Sequence, residues 1–270
     1  MAMDDSDLKI GTATTSHGAL YFLMDRDPRT FTRPIVIILH GALRNSDNLR
    51  GWYPVLSKHF DLLFVDLPGH GRTPADGEPT IRAFTDRVRE MILRHFSDRE
   101  IVAVGESVGG LVALGLANGR TPGLKAVIAA DPPLSTAKQW PIYGNFTRRA
   151  RENPIGDYLM TFMFNTFGYT PQGIDGDRVY YSMVSAVKIP ARILTGDSPL
   201  FPVRSQPVIP CLMDEVDRFL IRSLKNPHVS MDIIPGKGHL CLDADHEPAR
   251  RAVSTFCAEH LLTQTAGAES

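Results

Sequence analysis

The feature that most limits how this chain can fold is a series of mainly apolar runs, each about one strand long. They lie at residues 35–40, 60–65, 101–105, 124–130, 191–195 and 229–234. A strand with one wet face alternates apolar and polar residues, so an unbroken run belongs to a strand covered on both faces. Between the runs the spacing changes to that of helices. Ile81, Phe84, Val88, Met91, Ile92 and His95 keep a helical period, and Leu111, Val112, Leu114, Leu116 and Ala117 form a second helix closed by Asn118-Gly119. Further helices are expected from Ser46 or Asp47 through Leu56, over residues 211–224 and over residues 248–262. An antiparallel hairpin turning at Ser16-His17-Gly18 is expected to open the chain. Strands alternating with helices imply a mainly parallel sheet with helices on both faces, and ligands of such sheets sit at the carboxyl ends of the strands. His40, Asp66, Ser107 and Asp131 all fall at such ends.

One strand end carries chemistry. Residues 101–110 read IVAVGESVGG, a buried run closing in Gly105-Glu106-Ser107-Val108-Gly109. A strand that turns abruptly into a helix holds one residue at its tip, provided its neighbours carry almost no side chain. Ser107 at that tip is a candidate nucleophile, and the helix starting at Val108 directs free N–H groups toward whatever sits beside it.

The composition excludes several classes of function. A chain of 270 residues is long enough for one large α/β domain or two small ones. Its formal net charge of -1, with no long basic or acidic run, gives no electrostatic footprint for nucleic acid or a membrane surface, and a small-molecule partner is expected. The acidic, polar start MAMDDSDLKI is unlike a secretory signal, and no apolar run reaches membrane-spanning length. Cys211, Cys241 and Cys257 lack metal-ligand spacing and cannot all pair with one another, so reduced thiols in a cytoplasmic protein are expected, with no metal. Oligomeric state is not legible.

The strand–helix rhythm breaks over residues 132–188. Ten aromatic residues gather here, among them Trp140, Tyr143, Phe162 and Tyr169. So apolar a stretch folds rather than staying a linker, and we expect a helical lid over the strand ends, inserted into a core made of residues 1–131 and 189–270. Most of its aromatics are expected to form the lid's own core, and a minority to wall an apolar pocket.

A serine hydroxyl needs a base to take its proton, and the base needs an orienting carboxylate. Ser107, Asp197 and His239 follow in that order, each just past an expected strand. With HGALRNSDN, DLPGHGRT, GESVGG, TGDSPLF and GKGHLCL they make the chain resemble the α/β-hydrolase superfamily from about residue 35 to 262. The resemblance implies an α/β-hydrolase fold: a mostly parallel central sheet, helices on both faces and a helical lid. It also implies Ser107 as nucleophile, His239 as base, Asp197 as acid and an oxyanion hole from the N–H groups of Ala42 and Val108, with Leu43 the neighbour able to substitute. Asp131 stands where some family members carry the acid. Asp197 is preferred, because Pro132-Pro133 already account for residue 131 as a chain exit.

His40, Leu43, Trp140, Phe162 and Leu240 are expected along the substrate, although His40 and His70 have mainly structural parts to play. Glu106, where a histidine is common, is expected to pack rather than bind, and Arg44 to be a solvated arginine. Serine at the elbow argues against the dehalogenases and epoxide hydrolases that carry aspartate there. The expected reaction is cofactor-free hydrolysis of a small or medium ester, lactone or thioester with an apolar portion. Carbon–carbon bond hydrolysis or a cofactor-free dioxygenase on the same triad, and a small-ligand receptor with weak hydrolysis, are the alternatives.

Overall fold

The structure is a computed structural model that describes residues 8–201 and 209–262. Strands β1 (Lys9–Thr15) and β2 (Gly18–Met24) form the opening hairpin, followed by β3 (Ile35–Leu39). A 3-10 helix over Ser46–Trp52 runs into a short helix α1 (Tyr53–Leu56), which leads to β4 (Asp61–Asp66). Next come α2 (Ile81–His95), β5 (Ile101–Glu106), α3 (Val108–Leu116) and β6 (Leu124–Ala130). In the sheet the order is β1-β2-β4-β3-β5-β6, continued by β9 (Ala191–Gly196) and β10 (Val229–Ile234). Pairings from β4 to β10 are all parallel, while β1 and β2 join antiparallel. Every residue of β3, β4 and β5 is buried, as their apolar interiors require, and the burial extends to Asp61 and Asp66 at the ends of β4 and Glu106 at the end of β5. Strand β10 is the exception: it forms an edge, and Ile233 is exposed.

Two apolar layers flank the sheet. One holds α2 and α3, and the other holds α1 and the last helix, α8 (Glu247–Leu261). Thr80 caps α2 by accepting a hydrogen bond from the Ala83 N–H at 3.1 Å.

Between β6 and β9 the chain leaves the sheet for α4 (Trp140–Arg151), α5 (Gly156–Phe167), the two-residue strands β7 (Tyr169–Thr170) and β8 (Gly173–Ile174), and α6 (Tyr181–Ser185). This insertion rests on the loops at the carboxyl ends of β3 and β4. Arg149 donates to the Leu43 carbonyl at 3.3 Å, Asn165 to the Pro79 carbonyl at 3.1 Å, and Phe162 stacks on Phe84 with centroids 5.1 Å apart.

Helix α7 (Glu215–Ser223) starts later than its apolar spacing predicts. The backbone N–H groups of Leu212 and Met213 are drawn to Asp131, at 2.7 and 3.2 Å, so the helix begins only after Asp214 caps it. Among the described residues no helix is long and apolar enough to cross a membrane.

Candidate active site

The strand-to-helix turn after β5 stands as the sequence implies. Ser107 adopts φ 55 and ψ -116, a left-handed conformation that costs a side-chain-bearing residue about 1–3 kcal/mol and persists only where its surroundings enforce it. The enforcement is visible. A Cβ on Gly105 would lie 2.0 Å from the Gly109 carbonyl oxygen, and one on Gly109 would lie 2.4 Å from that of Leu39 on the neighbouring strand. Only glycines let the start of α3 press so close to the sheet. The Ser107 N–H donates to the Ala130 carbonyl at 2.7 Å, which pins the turn to the end of β6.

His239 meets Asp131, not Asp197. Its Nδ1 lies 2.7 Å from Asp131 Oδ2, with both residues buried. The same carboxylate accepts from the Leu212 N–H, the Met213 N–H and the Thr195 hydroxyl, the last at 3.0 Å. Surrounded by donors, it is an acceptor toward the ring, so His239 Nδ1 carries the proton and Nε2 is left as a base. Asp131 itself stands at φ 43, outside ordinary strand geometry, which turns its side chain back over the strand ends. The expectation that Asp197 orients His239 is therefore corrected. Asp197 is exposed, and its carboxylate accepts the Gly236 N–H at 2.9 Å, so it braces the turn that leads to His239 without reaching the ring. The two prolines after Asp131 do mark the chain's exit, but that exit leaves the carboxylate of residue 131 at the centre of the site.

The loop after β3 lies against Ser107. A Cβ on Gly41 would stand 3.1 Å from Ser107 Cβ, so any side chain at residue 41 would crowd Ser107. The Arg44 N–H donates to the Gly41 carbonyl at 3.3 Å, and Leu43 has φ 59, closing a tight turn around Ala42. Val108 is the first residue of α3, so its N–H has no acceptor within the helix.

His40 locks this loop from behind. Its Nε2 accepts the Leu67 N–H at 2.9 Å and its Nδ1 donates to the Gly41 carbonyl at 2.8 Å. Burial lowers its pKa from 6.5 to about 3, so the ring is neutral. The expectation of a substrate contact at His40 is corrected, because both ring nitrogens are engaged by backbone and the residue is buried. His70, also buried and with a lowered pKa, donates to the Pro68 carbonyl at 2.9 Å. Asp66 accepts the N–H groups of Ser46 and Arg72 at 2.7 and 3.0 Å, which ties the DLPGHGRT turn to the same loop.

The other expected substrate residues divide. Phe162 is fully buried between Phe84, His70 and Phe167, so it belongs to the packing beneath the insertion rather than to a pocket wall. Trp140 is 57% exposed and rests on Phe201 with centroids 6.0 Å apart. Leu43 lines a cavity of about 400 Å³ with His70, Arg72, Asn153 and Leu159. Leu240 lines another of about 310 Å³ with Arg44, Trp52 and Glu106. Arg44 is not a solvated arginine: its side chain is 24% exposed, and its Nε stands 3.1 Å from Glu106 Oε1.

Sequence reasoning missed Thr195, Leu212 and Met213 as the groups that hold Asp131. A run of helical spacing gives no sign that its first N–H groups are taken elsewhere.

Comparison with known proteins gives three findings. A model of the alpha/beta hydrolase family matches residues 36–252. Among curated proteins, the pimeloyl-[acyl-carrier protein] methyl ester esterase of Klebsiella pneumoniae is 33% identical over 108 residues, a stretch covering 39% of this chain and 40% of that protein. Among solved structures, the carboxylesterase CesB of Bacillus subtilis superposes with a TM-score of 0.65 at 15% identity, covering 95% of this chain and 92% of that one. The thioesterase domain from the curacin biosynthetic pathway gives 0.64 at 16% identity, covering 92% and 98%. At such identities the likeness of these two structures is one of fold.

Proposed function

The chain belongs to the alpha/beta hydrolase family, and we propose that it is a serine hydrolase of small or medium carboxylic esters, lactones or thioesters, working through an acyl-enzyme. The observation that carries this reading is the hydrogen bond from His239 to a fully satisfied, buried Asp131, in a chain whose elbow presents Ser107 at φ 55. In this reading His239 Nε2 takes the Ser107 proton as Oγ attacks the carbonyl carbon. Asp131 holds the ring and stabilises the imidazolium that forms. The N–H groups of Ala42 and Val108 receive the developing oxyanion, where one such donor is worth about 3 kcal/mol. His239 then protonates the leaving group, and water releases the acyl group by the same steps. The insertion over the strand ends serves as a lid. The esterase activity named for the Klebsiella relative supports an ester substrate, though the matched stretch spans only 40% of that protein.

A chain-length series of p-nitrophenyl esters, with Ser107→Ala as control, tests this reading. Wild-type turnover that the variant lacks is expected. Equal slow turnover by both would overturn it, and a burst followed by a stable adduct would mark a ligand receptor instead.

A further inference from the structure

The residue just before the nucleophile is a carboxylate without good hydrogen bonds. Glu106 is 1% exposed, and the donors that its carboxylate faces, the Gly41 N–H and the Arg44 guanidinium, do not meet either oxygen in a hydrogen bond of good geometry. A buried anion in that state is costly and calls for an explanation. Its surroundings give one. A Cβ on Gly41 would lie 3.2 Å from Glu106 Oε1 and 3.1 Å from Ser107 Cβ, so the carboxylate and the nucleophile press on the same face of the oxyanion loop. Arg44, three residues further along that loop, sets its Nε 3.1 Å from the same oxygen. Both side chains line one cavity of about 310 Å³ with Leu240, the neighbour of His239.

Resting on the serine-hydrolase reading, we propose that Arg44 and Glu106 are a coupled positioning pair. Glu106 anchors the loop that carries Ala42, and Arg44 cancels a negative charge that would otherwise oppose the oxyanion formed at Ser107. Neither residue touches the reacting atoms. An unneutralised carboxylate this close to Ser107 would raise the barrier by Coulomb repulsion in a site largely closed to water. Other charged or titratable groups also face Glu106: His239 from the loop after β10, Asp131 from the end of β6 and, beyond His239, Cys241. Asp243 and Asp245 are on the cavity wall, with Asp243 paired to Lys237. Arg44 is thus the cation opposite the Glu106 carboxylate. Burial pushes the Glu106 carboxyl up from its ordinary value while Arg44 holds it down, so loss of Arg44 drives it further up and makes the effect pH-dependent.

The test uses Arg44→Met, Glu106→Gln and the double variant. Each is checked for folding by thermal melting, then assayed for kcat and KM between pH 5 and 9 and for the rate at which a fluorophosphonate labels Ser107. Arg44→Met is expected to lower kcat by about tenfold or more at alkaline pH with little change in KM. The deficit should shrink toward acid pH, where Glu106 becomes neutral. The double variant should regain most of what Arg44→Met lost, because the neutral amide still packs against the loop and accepts a hydrogen bond there while leaving no charge to cancel. Equal impairment of Arg44→Met and the double variant overturns the proposal, as does a defect confined to KM or independent of pH. If wild type labels with the fluorophosphonate but turns over no ester, the ester reading fails alone, and the labelling rates still decide the pair. If wild type does not label, both fail.

Discussion

Asp131 is held by four hydrogen bonds from parts of the chain far apart in sequence: Thr195, Leu212, Met213 and His239. That network makes two separable predictions. Asp131→Asn keeps the shape but presents the wrong group to His239 Nδ1, and kcat on a p-nitrophenyl ester should fall by about 10⁴. Asp197→Asn, at a carboxylate that only braces a turn, should keep kcat within about threefold of wild type. Equal losses in the two would restore Asp197 to the role its sequence position implied. The misplaced expectation has a physical root. Both aspartates follow apolar strands, and nothing local in TGDSPLF or AADPPL tells which carboxylate turns inward. The deciding contacts come from Leu212 and Met213, more than a strand and a turn away. Ser107 and His239 were legible because glycine spacing and strand ends are local signals, whereas the buried partners of Glu106 and Asp131 are products of packing.

At the scale of elements, the β5–α3 junction depends on missing side chains. Gly109→Ala would drive a methyl to 2.4 Å from the Leu39 carbonyl oxygen. Thermal or urea unfolding should report about 1–3 kcal/mol of destabilisation or more, with loss of ester turnover. The loops after β3 and β4 are joined by His40, and this join carries a pH signature. Its folded pKa is about 3 against an ordinary 6.5, so below pH 6.5 the unfolded chain binds a proton that the folded chain refuses. Stability is therefore full above about pH 6.5 and falls as pH drops toward about 3, by at most about 1.4 kcal/mol per pH unit from this group. His70 shifts in the same direction and adds to the slope. Urea unfolding at pH 7 and pH 5 should show the decline, and His40→Gln should make it shallower, leaving the part that His70 contributes, whatever the variant's absolute stability. The parallel strands and α2 were readable from apolar runs and helical period. The delayed start of α7 was not, because its first turn is spent on Asp131.

For the whole molecule, the insertion and the sheet share one apolar interior. Phe162 of α5 packs against Phe84 of α2 and against His70 of the β4 turn. Phe162→Ala should cost about 3–5 kcal/mol and still give a single unfolding transition detected alike by far-UV circular dichroism and tyrosine fluorescence. Two separated transitions would mean that the insertion folds as its own unit. The aromatic richness of residues 132–188 announced a folded segment with its own core, of the kind that the stacking of Phe167 with Tyr169 at 5.2 Å and the edge-on contact of Tyr143 with Tyr169 at 5.3 Å illustrate, but not that Phe162 would reach across to Phe84 of α2. The scattered origin of the donors around Asp131 also bears on how the protein is made. As the chain is synthesised from its N-terminus, Ser107 and Asp131 emerge well before residues 195, 212, 213 and 239. On the serine-hydrolase reading, a nascent or truncated product therefore carries an unarmed serine, and reactivity waits for the last third of the chain to dock.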